Sequence, residues 1–315
     1  MSLRSSYILV FACVVAFVFS FVVRLIWVYQ FSDFETFKFA GQFMINTNDG
    51  YYWAEGARDL LRGIIKQHDL SPISEATSWL TYFCTKLLPL PFETIIFYMP
   101  AVLGSLLVVP IILIANNFKM PAMGFLAALL GSIAVSYYNR TMVGYFDTDM
   151  LNIVFPTLLL WSLVLAFSTN EEKYLLITAL EIIAYRWWYP QSYSLEFSFF
   201  GLILVYTLVF ERKRLFHYKL LAIMLFAMMG LQSSIRLGIV SIVYLLFKQQ
   251  KFRKYIWYIF GLSIALFFLT GGFSPIWGQL KGYVFKDTIE VSKDILPLHF
   301  FSVNQTIREA GQIDF

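Results

Sequence analysis

Cysteine is nearly absent from this 315-residue chain: Cys13 and Cys84 are the only two, both among mostly apolar neighbours. Two such residues exclude a disulfide framework and a cysteine-type metal cage. Histidine is as scarce, and His68, His217 and His299 are too scattered to form a spaced ligand set. No P-loop and no G-x-G-x-x-G occurs, which argues against a nucleotide-fuelled pump. There is no internal repeat, no low-complexity segment and no sign of a nucleic-acid partner. Charge is thin as well, at 14% of residues against 59% hydrophobic, with a mean hydropathy of +0.67. A soluble domain cannot hide that much apolar surface. The chain therefore reads as an all-α polytopic membrane protein.

What is present are long apolar runs. Arg4 precedes a run from Tyr7 to Val28 that is too long for a cleaved signal, so it reads as a retained first helix. Nine spans are expected, near 7–28, 92–115, 120–137, 150–168, 174–188, 195–210, 218–232, 234–247 and 255–270. The two around Gln232-Ser-Ser-Ile-Arg236 are short. Alternate junctions differ in basic residues. One set holds Arg4, Lys119, Lys173, Arg212, Lys213, Arg214, Lys219, Lys248, Lys251, Arg253 and Lys254; the other, leaving out the long first loop and the tail, holds Arg24, Arg140, Arg186 and Arg236. That asymmetry places the N-terminus in the cytoplasm. The connection Phe31–Pro91, the stretch Arg140–Asp149, the turn Trp187-Trp-Tyr-Pro190 and the tail after Gly271 then share the outer side. The expected organisation is a transmembrane domain over 1–271, with an outer first loop over 31–91. Residues 272–315 begin a large outer loop that looks cut short.

Within Arg140-Thr-Met-Val-Gly-Tyr-Phe-Asp-Thr-Asp149, two carboxylates stand two positions apart, with a guanidinium seven residues before the first. A charge within hydrocarbon costs about 2.5–3.5 kcal/mol on insertion scales, so this cluster belongs at a water boundary. Carboxylates held close repel unless a cation or an arginine offsets them. Hard oxygen ligands suit Mg²⁺ or Mn²⁺. A plain polar turn satisfied by Arg140 explains the same residues. In the first outer loop, Asn48-Asp-Gly50 is a turn signature followed by helical spacing of Tyr52, Trp53 and Ala57, which suggests an interfacial amphipathic helix. Asp49 stands at its start, where it is either an N-cap or a functional acid. In Arg186-Trp-Trp-Tyr-Pro-Gln-Ser-Tyr-Ser194, Trp187 and Trp188 read as interface anchors. Tyr189, Ser192 and Ser194 can hydrogen-bond a phosphate, although capping is the simpler role for such hydroxyls. The tail carries Tyr283, His299 and Asn304-Gln-Thr-Ile-Arg-Glu309. Asn139-Arg-Thr141 and Asn304-Gln-Thr306 match the N-glycosylation tripeptide, a pattern frequent by chance.

Four motifs now stand in one order: Asn-Asp-Gly-Tyr at 48–51, Gly-Tyr-Phe-Asp-Thr-Asp at 144–149, Trp-Trp-Tyr-Pro at 187–190 and Thr-Ile-Arg-Glu at 306–309. Together with Asn48–Asp59, Ser136–Met142 and Phe301–Glu309, they resemble the bacterial single-subunit (PglB-type) oligosaccharyltransferases through nearly the whole chain. The resemblance implies a GT-C-type transmembrane domain in the bacterial inner membrane, with a periplasmic active site. It implies transfer of a glycan from undecaprenyl pyrophosphate to the asparagine amide of an N-x-Ser/Thr acceptor, in one inverting displacement. By position, Asp49, Asp147 and Asp149 match the ligands of Mn²⁺ or Mg²⁺. Asp49 and Glu309 match the acids that hydrogen-bond the acceptor amide, and Arg140 matches the arginine that supports the acidic cluster. Tyr189, Pro190, Gln191, Ser194 and Tyr283 match contacts to the lipid-linked donor. Gln191 replaces an expected serine, and Arg186 adds a charge, so donor selectivity is expected to differ there.

The chemistry suits these residue types. An amide nitrogen is a poor nucleophile because its lone pair is delocalised. Two carboxylates accepting its N–H bonds favour a twisted amide with a localised pair. The family also has further spans, an arginine meeting the pyrophosphate, and an outer domain whose W-W-D-Y-G motif binds the acceptor hydroxyl. None of these is in the sequence. The expectation is a truncated form or one half of a split enzyme, with a second chain as supplier of the rest, that keeps its metal site but is inactive alone. Three rivals remain. One is another polyprenyl-phosphate-sugar transferase, which the D-x-D and Thr306–Glu309 argue against. A second is a flippase, which needs charged or broken helices near the bilayer midplane; Glu181, mid-way along the fifth span, is the only candidate. The third is a non-catalytic remnant.

Overall fold

The computed structural model describes residues 3–63 and 70–285. Helices carry nearly all of it. α1 (Leu3–Arg24) and α2 (Ile26–Phe31) form one apolar rod broken at Leu25. A two-pair antiparallel hairpin follows, β1 (Lys38–Phe39) against β2 (Gln42–Phe43). The first outer loop then holds α3 (Asn48–Arg62) and a second helix absent from the expected elements, α4 (Ala76–Leu87). Next come α5 (Phe92–Ser105), α6 (Val108–Asn117), α7 (Pro121–Ser132), α8 (Val135–Asn139), α9 (Asp149–Asn152) and α10 (Val154–Thr169). The first unit ends with α11 (Lys173–Trp188), α12 (Tyr193–Phe210), α13 (Leu215–Ala227), α14 (Ser233–Lys248) and α15 (Ile256–Leu269).

Local chemistry sets several boundaries. α7 opens with Pro121 in its first turn, where a missing N–H is no loss. α3 stops at Gly63, whose φ of +66° suits a residue without Cβ; its N–H closes on the Asp59 and Leu60 carbonyls. Each of the nine expected spans falls mainly on helix. Among the described residues, four helical stretches are long and apolar enough to cross a membrane: Ser6–Phe31, Phe92–Asn117, Asp149–Thr169 and Pro190–Phe210. Pro121–Ser132, Leu215–Ala227 and Ile256–Leu269 are apolar but shorter. The span expected over 218–232 stops at Ala227, and its last residues connect to α14 outside helix.

α13 shows why a short helix suffices. Every residue from Leu220 to Met229 is buried, so it is enclosed by protein on all sides. α11, α14 and α15 pack on it, while α10 joins α11 to α6, and α6 packs on α1 and α7. By contrast α1, α12 and α15 present large apolar side chains outward, among them Phe11, Leu202, Val205 and Trp257. That is the distribution expected where the solvent is lipid.

The compact units are 1–272 and 273–315. Of the second, the described part includes α16 (Ser274–Phe285). His299 and the Thr306–Glu309 motif lie outside the described residues.

Candidate functional site: an acid cluster stapled by backbone

Two sequence-distant segments are stapled at the start of α3. The Asn46 N–H donates to the Gly144 carbonyl at 2.9 Å, and the Gly144 N–H donates to the Phe97 carbonyl at 2.8 Å. Thr47 works twice: its hydroxyl donates to the Phe146 carbonyl at 3.0 Å and accepts the Gly50 N–H at 3.2 Å. Thr47 is thus the N-cap of α3. The capping role considered for Asp49 does not hold, because Asp49 stands inside the first turn and is exposed. Two glycines permit the approach. A Cβ on Gly50 would lie 2.6 Å from the Phe146 carbonyl oxygen, and Gly144 adopts φ +80° against the Phe97 ring.

The loop that begins at Arg140 is held from beneath. Arg24, fully buried, donates from Nε to the Thr141 carbonyl at 3.1 Å and from Nη2 to Thr141 Oγ1 at 2.7 Å and the Ser132 carbonyl at 3.0 Å. Its Nη1 donates to Ser20 Oγ at 2.7 Å. In the sequence Arg24 was only a junction charge; nothing local distinguished it from a solvated helix end. Thr141 also lies against Gly104, where a Cβ would come within 2.6 Å of it. From the other side Trp188 Nε1 donates to the Thr148 carbonyl at 2.8 Å. Trp188 is 1% exposed and packs near Phe155, so the interface-anchor role fits only Trp187, which is 41% exposed. A membrane-belt tryptophan and a buried strut look alike in sequence.

On this support sit the acids. Arg140 Nη1 donates to Asp149 Oδ2 at 2.8 Å, and Asn152 Nδ2 donates to Asp149 Oδ1 at 3.2 Å. Asp147 Oδ1 accepts the Thr148 N–H at 2.6 Å. Burial pushes the Asp147 carboxyl above its ordinary range; Asp149 and, more weakly, Asp49 add to that, against the opposing Thr148 N–H. Tyr145 is likewise raised, first by burial; Arg140 opposes this, and Asp149, Asp147 and Asp49 all contribute. Arg140 is held charged, chiefly by its bond to Asp149. The three carboxylates therefore share one electrostatic field. The donor set fits a hard divalent cation in kind, because like charges repel until a cation offsets them. Among the described residues, however, no three Asp, Glu, His or Cys are gathered as metal ligands.

The 186–194 turn adjoins this loop through Trp188. Tyr189 Oη donates to Gln191 Oε1 at 3.0 Å, and Ser194 Oγ lies 3.5 Å from the Gln191 carbonyl. Pro190, Gln191 and Ser194 are exposed. Ser192 is neither a phosphate contact nor a cap: it is buried and donates to Glu196 Oε1 at 2.6 Å. Glu196, unremarked in the sequence, is fully buried and accepts from Arg186 Nε at 3.0 Å, while Arg186 Nη1 reaches the Met228 carbonyl at 2.6 Å. The added charge of Arg186 is thus committed to the protein interior. A basic and an acidic residue flanking an aromatic turn was the available signal. Glu181 is also committed, as acceptor from Ser162, whose Oγ stands 3.0 Å from Thr178 Oγ1. A satisfied acid of that kind gives the flippase reading no support. The side chain of Tyr283, and Glu309 entirely, lie outside the described residues.

Comparison with known proteins agrees with this architecture. The family model described as oligosaccharyl transferase STT3, N-terminal, matches residues 2–313. Two Campylobacter jejuni proteins named undecaprenyl-diphosphooligosaccharide–protein glycotransferase are each 42% identical over 317 residues, covering 99% of this chain and 44% of theirs. A Methanococcus voltae dolichyl-phosphooligosaccharide-protein glycotransferase is 27% identical over 122 residues, 35% of this chain and 13% of its own. In fold, the chain is similar to the Archaeoglobus fulgidus oligosaccharyltransferase in its apo form, with a TM-score of 0.56 at 14% identity, covering 94% of this chain and 41% of that one. An archaeal oligosaccharyltransferase from the same organism, in complex with an inhibitory peptide and a dolichol-phosphate, gives 0.56 at 15% identity, over 90% and 40%. The chain spans less than half the length of the curated relatives it matches. It belongs to the STT3 family of oligosaccharyltransferases.

Proposed function

We propose that this chain is the metal- and donor-binding part of an enzyme that transfers a glycan from undecaprenyl pyrophosphate to the side-chain amide of asparagine in N-x-Ser/Thr, with inversion, at the periplasmic face of a bacterial inner membrane. The observation that carries the reading is the convergence of Asp49 with Asp147 and Asp149 across two loops, joined by the Thr47–Phe146 and Asn46–Gly144 hydrogen bonds. The activity for which the Campylobacter jejuni relatives are named supports the reaction class. The peptide and dolichol-phosphate named with the archaeal structure support the two kinds of ligand.

Each residue then has a task. Asp49, Asp147 and Asp149 would hold Mn²⁺ or Mg²⁺. When bound, the cation offsets negative charge developing on the pyrophosphate leaving group. Arg140, bound to Asp149, orients that carboxylate. Asp49, exposed and free of capping duty, would accept hydrogen bonds from the acceptor amide N–H groups, the role the resemblance also assigns to Glu309, which favours a localised nitrogen lone pair. Tyr189, Pro190, Gln191 and Ser194 would contact the donor, a role the resemblance also assigns to Tyr283. No protein nucleophile is required.

The 315 residues contain no W-W-D-Y-G motif to grip the acceptor hydroxyl. Residues 1–315 by themselves are therefore expected to bind Mn²⁺ and lipid-linked donor but not to form glycopeptide, and further sequence bearing such a motif, in the same chain or in another, would complete the enzyme. Electron paramagnetic resonance of Mn²⁺ with the purified chain, followed by donor-binding assays with and without Mn²⁺, tests this. Absence of Mn²⁺-dependent donor binding would sink the proposal. Sugar found by mass spectrometry on Ser or Thr of a presented peptide would favour a different polyprenyl-phosphate-sugar transferase.

A further inference from the structure

We propose that the end of the bundle opposite the acid loop carries a binding site for an anionic glycerophospholipid. The connections α10–α11, α12–α13 and α14–α15 all lie at the far end of their helices from the 140–149 loop and the 189–192 turn. Between them is a cavity of about 550 Å³ lined by Lys213, Arg214, Lys219 and Lys248, with Glu172 as the lining carboxylate. Lys219 is the fixed part. Its ammonium is bound by Glu172 and donates to the Phe247 carbonyl at 3.0 Å, and its side chain is only 12% exposed. Arg214 pairs with Glu211 at 3.2 Å. Lys213 and Lys248 are exposed and pair with no carboxylate among the described residues. Four cations against Glu172 and Glu211 leave a surplus of positive charge, which suits a phosphate.

A second feature selects a lipid over a soluble phosphate. Arg214 also lines an apolar cavity of about 410 Å³ between α10 and α12, walled by Leu163, Phe167, Leu202, Ile203 and Tyr206. The one guanidinium thus stands where a phosphate and an acyl chain would meet. On the other flank, sharing Leu215 and Gln250 with the basic cavity, a hollow of about 920 Å³ adds Lys251, Lys254, Tyr255 and Trp257. Cations beside exposed Trp and Tyr are the side chains that settle at lipid headgroups. This site is independent of the glycosyl-transfer reading.

Native mass spectrometry of the detergent-purified chain, titrated with phosphatidylglycerol, phosphatidylcholine or inorganic phosphate, tests it. Phosphatidylglycerol is expected to be retained at least about tenfold over phosphatidylcholine, and the Lys213→Glu/Lys248→Glu double variant to lose at least about tenfold of that affinity. Lys86→Glu, the same charge change at the acid end, is expected to bind as the wild type does. Leu202→Trp, in the apolar groove, is expected to weaken phosphatidylglycerol without altering inorganic phosphate. All changed positions are exposed, and helicity by circular dichroism checks that each variant folds. Equal retention of the two lipids, or a double variant no weaker than Lys86→Glu, overturns the site. Displacement of phosphatidylglycerol by inorganic phosphate, with Leu202→Trp silent, overturns the lipid in favour of a soluble anion.

Discussion

At one end of the bundle three carboxylates are held within one another's field by backbone staples and buried struts; at the other end a larger set of lysines and arginines stands on exposed, mostly self-supporting side chains. The difference follows from what each cluster must do. Like-charged carboxylates separate unless the backbone forces them together, so their convergence has to be built from Arg24, Thr47, Gly50, Gly144 and Trp188. Long basic side chains snorkel to water or headgroups without such scaffolding. One end should therefore be sensitive to buried changes far from its charges, and the other only to the charges themselves.

The sharpest way to break this contrast is Arg24→Leu. It strands the Thr141 and Ser132 carbonyls and the Ser20 hydroxyl in the interior, and the expected loss is about 3 kcal/mol or more. Mn²⁺ binding should fall with it, although Arg24 touches no acid, while phosphatidylglycerol binding stays intact. Thermal unfolding in detergent and resonance titration measure both. Gly50→Ala comes next. A methyl group 2.6 Å from a backbone oxygen must push α3 off the acid loop, at about 1–3 kcal/mol. Mn²⁺ affinity should weaken more than stability alone explains; unchanged affinity would show that the staple is dispensable.

Trp188→Phe keeps most of the ring but removes the N–H donated to the Thr148 carbonyl, for an expected loss of about 1–2 kcal/mol. A weakened donor affinity would sharpen the picture, because the same residue leads into the Tyr189–Gln191 contacts. Asp147→Asn should act oppositely on fold and function. The folded state raises this carboxyl, so its ionised form is disfavoured on folding, and the stability it contributes at low pH is lost as pH rises through its raised range. A neutral amide is therefore expected to raise the metal-free unfolding temperature at neutral pH while abolishing Mn²⁺ binding. The smallest effect belongs to the other end. Arg214→Ala breaks an exposed pair with Glu211 and should change stability by less than about 0.5 kcal/mol, while still weakening phospholipid retention.

The helical, membrane-embedded class was legible because apolar runs of such length permit little else, and every expected span falls mainly on helix. α3 was legible from the Asn-Asp-Gly turn and the spacing after it, and the family from four motifs in order. The cap was misplaced by two residues, since Thr47 and Asp49 are both good caps and only the Phe146 carbonyl favours Thr47. The helix α4 was hidden in a long polar connection. Trp188 was read as a membrane anchor because indoles in lipid headgroups and in protein cores follow the same local pattern.

What the amino-acid order determined by itself is where helices lie and which residues have the chemistry to hold a cation or a phosphate, since hydropathy and donor type are properties of single side chains. Only the tertiary structure decided that Asp49 lies within the electrostatic reach of Asp147, that Arg24 supports the acid loop from 117 residues away in sequence, and that Glu196 closes on Arg186. Those contacts depend on buried polar groups finding partners across helices, and a buried donor is satisfied by whichever acceptor the packing brings near, not by its neighbours in the chain.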